Sequence, residues 1–181
     1  MITKYSNPRY ITSSKQLKNL LTKCKHCWKL TAKGSLITSI DSLPLISIEK
    51  LPQKKCFIIL HVKNKNRLRS TGHWLSLAIY LTQRKCLIFD PANQIKGWEN
   101  AMENIGKFCS KNKLKSIDFA LKCQNEESFV CGEEVLAMCG KMHHSTLRQF
   151  FNLRSLLKKY DINSIEHKIV SFAEDHFRTK F

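Results

Sequence analysis

With 181 residues and 43% hydrophobic side chains, the chain has enough apolar material for one full core, which excludes a disordered basic tail. Its 31 Lys and Arg against 14 Asp and Glu give a net charge of +17, a long-range attraction for polyanions; nucleic acid is the leading partner and a basic surface kept for solubility the bland alternative. Apolar runs such as Phe57 to Leu60 are too short for a bilayer, the start MITKYSNPRYITSS has no apolar signal core, and eight cysteines in a chain of this size suit a reducing compartment. The expectation is a soluble, intracellular, monomeric protein of one domain, residues 1–181, with no membrane partner.

In chain order, Ser13 or Ser14 followed by Leu17, Leu20 and Leu21 reads as an N-capped amphipathic helix ending near Lys23. From Lys33 to Pro52, short apolar pairs broken by Gly34, Pro44 and Pro52 suggest loops and turns. Cys56 to Val62 is a continuous apolar strand, expected at the sheet centre between the two strands of the hairpin that follows. In Lys63, Lys65, Arg67 and Arg69 every second residue is positive, which makes a candidate DNA-contacting ridge if the segment is extended.

The hairpin itself is His73 to Leu81, with Leu75, Leu77, Ile79 and Leu81 on one face of a half-buried strand, a polar turn at Thr82 to Arg84, and a return over Lys85 to Phe89. Trp98 to Cys109 has apolar residues at helical spacing, Ser116 to Leu121 reads as another strand, and a helix begins at Cys131, followed by two more over Ser145 to Tyr160 and Ile165 to Phe177.

This layout puts chemistry at three element ends. The hairpin brings His73 and Asp90 to one end, where an imidazole and a carboxylate form the base-orienting half of a hydrolytic triad. Cys131 is the cysteine at a helix N-terminus, where unpaired N–H groups and the helix dipole favour a thiolate. Gly132 leaves room for an approaching substrate carbonyl, and the Cys131 N–H with the Gln124 amide are candidate oxyanion donors.

The ordered set His73-Trp74, Asp90, Gln124, Cys131-Gly132 resembles the adenain family of viral cysteine proteases, within the wider group of ubiquitin-like-protein proteases. The order is the group's, and so are the spacings, 17 residues from His73 to Asp90 and 7 from Gln124 to Cys131. The resemblance runs from Phe57 to about Met142. It implies an α+β, papain-like cysteine protease fold with a mixed central sheet flanked by helices. It also implies roles: Cys131 as nucleophile, His73 as general base and then acid, Asp90 orienting His73, Gln124 as oxyanion donor, and Trp74 as the aromatic support of the histidine. The implied activity is a thiol endopeptidase that cleaves capsid or core precursor proteins at small, glycine-containing sites during virion maturation. Its source would be a virus or a Polinton-type element, and its location the virion and the host nucleus or cytoplasm. DNA and a capsid-derived peptide, disulfide-linked through Cys109 or Cys123, are the implied activators. The chain departs from the family pattern in Asp90, where adenain carries Glu, and in Glu133 and Glu134, where apolar residues are usual and where negative charge opposes a thiolate.

Three alternatives remain. A deconjugating protease for ubiquitin-like modifiers shares the site but fits the size and charge less well, and a non-catalytic basic nucleic-acid-binding protein shares the fold. Zinc is the third: Cys24 and Cys27 have the spacing of half a site, and Cys139 and His143 are candidates to complete it, but without a second such pair the expectation is no metal.

Overall fold

The computed structural model describes residues 11, 13–49, 51, 53–63, 72–98, 100–126 and 128–179. In chain order these form α1 (Ser14–Leu21), α2 (Lys25–Leu30), β1 (Ile37–Ser39), β2 (Lys55–Val62), β3 (His73–Tyr80), β4 (Lys85–Phe89), α3 (Ala101–Lys111), β5 (Lys115–Asp118), α4 (Cys131–His144), α5 (Leu147–Leu157) and α6 (Ile162–Phe177). The strands make one mixed sheet in the order β1-β2-β3-β4-β5. The β2, β3 and β4 pairings are antiparallel and the two outer pairings parallel. The fold is thus α+β, a mixed sheet flanked by helices.

Successive strand residues point to opposite faces, and both faces are covered. Phe57, Ile59, Trp74, Ala78, Tyr80, Leu87 and Phe89 pack against α1, α2, α4, α5 and α6. Their neighbours Cys56, Ile58, Leu60, Leu75, Leu77, Ile79 and Ile88 pack against α3 and the 3₁₀ segment Ile40–Leu45. Every residue of β3 is therefore buried, which corrects the half-buried reading of its alternation. Leu81 lies outside the strand, opening a 3₁₀ turn that Arg84 closes in the left-handed region, φ 53°. The strand at the sheet centre is β3; β2 lies between β3 and β1 and does not touch β4.

β1 was not foreseen. With three residues it is too short to show a period, and it forms because Ile37 to Ser39 pair in parallel with Ile59 to His61. The helix after Trp98 starts only at Ala101, so Trp98 is free for another use.

Local chemistry fixes the helix ends. The Ser13 side chain accepts from the Gln16 amide while Gln16 reaches back to the Ser13 N–H, and Thr146 and Gln149 repeat this capping box at α5. α4 differs: its N-cap, Val130, supplies no side-chain acceptor. Its other end is tied down by Lys55, whose Nζ donates to the Met142 and Ser145 carbonyls at 3.1 and 2.9 Å.

Leu77, fully buried on the central strand, tests this two-sided packing. Leu77→Ala is expected to cost about 2–5 kcal/mol, read as a lower urea midpoint with an unchanged slope.

Candidate active site

β3 and β4 end side by side. The last pair in their register is Ser76 with Phe89, so Asp90 leaves the sheet next to the first residues of β3. The chain then turns through Pro91 to Gln94, and this turn folds back onto the Asp90 carboxylate. Oδ2 accepts from the Gln94 and Ile95 amides at 2.6 Å each, and Oδ1 accepts from the Ala92 amide at 3.1 Å and bonds His73 Nε2 at 2.6 Å. Burial opposes charge on this carboxylate, but the bonds from His73 and the two amides outweigh it and hold its pKa below the usual value. Asp90 is held as an anion by His73 and by its own turn.

With Nε2 committed to Asp90, Nδ1 is the ring nitrogen left for sulfur, and the Cys131 side chain interacts with the same imidazole. Burial alone would depress His73, yet the bonds with Asp90 and Cys131 prevail and push it up to about 9. His73 is thus an imidazolium at neutral pH, set between a carboxylate and a thiol. Cys131 is the first residue of α4, which packs on β3 in the core that also holds Trp74 and Ala78.

Gln124 is placed by its backbone, whose N–H donates to the Pro91 carbonyl at 3.0 Å. Its Nε2 donates to Ser128 O at 2.6 Å, which uses one of its two hydrogens and leaves the second. His73, Gln124 and Cys131 open together onto a cleft of about 310 Å³, also lined by Trp98, Asn125 and Phe129. The structure therefore brings all four residues singled out in the sequence to one place. Of the basic ridge, Lys63 is exposed at the end of β2, while Lys65, Arg67 and Arg69 lie outside the described residues.

Two neighbours differ from the sequence reading. The aromatic ring beside His73 is Trp98, with centroids 5.6 Å apart and planes at 31°. Trp74 follows His73 on a strand and so faces the opposite side, where it packs on His61 at 4.7 Å. No sequence signal set Trp98 apart, since three residues before Ala101 is helical spacing; only the start of α3 at Ala101 frees it. Gly132 also has another reason than substrate access, since a Cβ there would lie 2.8 Å from Ile11 Cβ, so the missing side chain admits Ile11 to the core.

Glu133 and Glu134 are fully buried. Glu133 Oε1 accepts from the Ile11 amide at 3.1 Å, and burial pushes this group up to about 7. Neither Glu134 oxygen has a partner among the described residues; burial first, then the nearby Glu166 charge, raises it well above the usual carboxylate value. Burial thus favours the neutral form of Glu134 and weakens the negative charge expected to oppose a thiolate beside Cys131.

The thiols proposed for a peptide disulfide are enclosed. Cys123 is fully buried, and Cys109 is 4% exposed and adjoins Cys86, so neither presents sulfur at the described surface. A separate donor set, Cys24, Cys27 and His176, has ligand atoms mutually within 4.8 Å. No protein-family model and no curated protein matches the chain.

Two titrations follow. The His73 imidazole is expected to stay protonated up to pH about 9, well above the ordinary value of about 6.5. Because its folded pKa is raised, its stabilising contribution is complete below about 6.5 and fades as pH rises through 9. Nitrogen-15 NMR of the ring reads this directly; an ordinary titration midpoint in the native protein contradicts the ion pair. Glu134 also has a raised folded pKa, so it weakens the fold progressively as pH rises above about 4.3. Urea unfolding of Glu134→Gln should then show a gain over the parent chain that grows as pH rises above about 4.3, where the unfolded carboxyl ionises; a pH-independent difference would refute the raised buried acid.

Proposed function

We propose that the chain is a thiol endopeptidase of the adenain-like type, with a papain-like fold, acting on structural precursor proteins of a virus or virus-like element. The observation that carries this reading is the 2.6 Å bond between Asp90 and His73, with Cys131 interacting with the same ring and standing at the start of a helix without a side-chain cap.

In this mechanism His73 holds the proton of Cys131, and Asp90 stabilises the resulting imidazolium. The thiolate attacks a peptide carbonyl; the S–C bond forms as the carbonyl electrons move to oxygen, where the Cys131 N–H and the second Gln124 amide hydrogen donate. The intermediate collapses as His73 gives its proton to the departing amine and the C–N bond breaks. Water then attacks the thioester, with His73 as base, and the thiolate–imidazolium pair is restored. The modest cleft, walled by Trp98 and Phe129, suits an extended peptide with small residues at the cut, in line with the glycine-containing sites of the family.

The net charge of +17 supports DNA as a binding partner that holds enzyme and substrate on one polymer, through counterion release rather than base readout. Virion and host nucleus or cytoplasm are the places this role implies.

The test is cleavage of capsid precursors from the same source, and of short peptides bearing their glycine-containing sites. Cys131→Ala and His73→Ala are each expected to abolish turnover with the fold retained by circular dichroism, and Asp90→Asn to be milder. Gln124→Ala should slow turnover by roughly 10²- to 10³-fold with little change in KM. Full activity in Cys131→Ala rules the reading out.

A further inference from the structure

The Cys24, Cys27 and His176 cluster lies outside the proposed catalytic site and is assembled from the two ends of the chain. Cys24 is the N-cap of α2, Cys27 lies in its first turn, and His176 lies in the last turn of α6. His176 Nε2 stands 3.3 Å from Cys24 Sγ and 3.4 Å from Cys27 Sγ, and all three donor atoms are within 4.8 Å of one another. Zinc bonds of about 2.3 Å to sulfur and 2.0 Å to nitrogen at tetrahedral angles place S and N about 3.5 Å apart. The two observed sulfur–nitrogen separations are close to that tetrahedral edge.

Further features suit a metal. The Cys27 amide donates to Cys24 Sγ at 3.4 Å, a bond that orients the sulfur and stabilises negative charge on it. Cys139, on α4, interacts with the Cys27 thiol; it is not one of the three mutually close donors, but it is a thiol at hand for a fourth position. α4 makes room for the histidine by carrying Gly140, where a Cβ would fall 2.9 Å from the His176 ring.

We propose that Cys24, Cys27 and His176, with Cys139 as the fourth ligand, form a structural zinc site that fastens the α1–α2 corner and the end of α6 to α4. Each thiol releases its proton to solvent on binding, and no electron transfer is involved. The site differs from the absence of metal expected from the sequence, where Cys139 and His143 were weighed and His176, 149 residues after Cys27, was not. His143 instead stacks on His26, with centroids 3.8 Å apart. The proposal is independent of the proteolytic reading.

The full chain, purified after expression with added zinc and exchanged into metal-free buffer, is analysed by elemental mass spectrometry. About one zinc per chain is expected, kept in Cys131→Ala and His143→Ala and lost in Cys24→Ser and His176→Ala. Chelation should lower the melting temperature, since binding free energy here is folding free energy. Should those variants fail to fold, the unmutated chain is refolded with cobalt, whose thiolate charge-transfer absorption reports sulfur ligation. Metal-free protein with eight titratable thiols, a Cys24–Cys27 disulfide, zinc retained in both ligand variants, or a cobalt complex without that absorption would each overturn the site.

Discussion

The Asp90 carboxylate is the constraint on which the site depends. It is buried, and an isolated buried carboxylate would rather be neutral. Three backbone amides of the turn that follows it, together with His73, supply four bonds to its two oxygens. The anion is thus held by His73 and by the backbone of its own turn. A fixed anion then settles the orientation and charge of His73, and a charged His73 settles what Cys131 faces. If the turn were slack, each later step of this chain would be lost.

The sheet gives that arrangement its rigidity. β3 is buried on both faces, so His73 leaves a strand that cannot tilt without disturbing two cores. α4 is pressed against the same strand, anchored by Lys55 at its C-terminal end. Cys131 and His73 are therefore carried by two elements packed against each other, while Gln124 and Trp98 come from the connecting segments.

Much of this was legible in the sequence because it is local or periodic. The hairpin could be read from alternation and a polar turn, and so His73 and Asp90 could be placed together before any coordinates. Cys131 could be placed at a helix start by the recurrence of Val135, Met138, Cys139 and Met142. What escaped was non-local. Strand alternation does not say whether the second face is covered, so β3 read as half-buried. β1 exists only through its pairing with β2, and Trp98 reaches His73 only because α3 starts late. Glu133 and Glu134 read as an ordinary acidic first turn, and nothing in their neighbours told of full burial. The closeness of His176 to Cys24 spans 152 residues, a contact that no spacing rule reaches.

The central claim is that His73 makes Cys131 a nucleophile distinct from the other seven cysteines. Its most direct test is brief alkylation with iodoacetamide at pH about 6, below the ordinary thiol range, with every cysteine mapped by mass spectrometry. The account predicts that Cys131, although buried, is modified first, and that His73→Ala removes this preference. Modification led by Cys24, the thiol that is not buried, with Cys131 indifferent to the loss of His73, would contradict it.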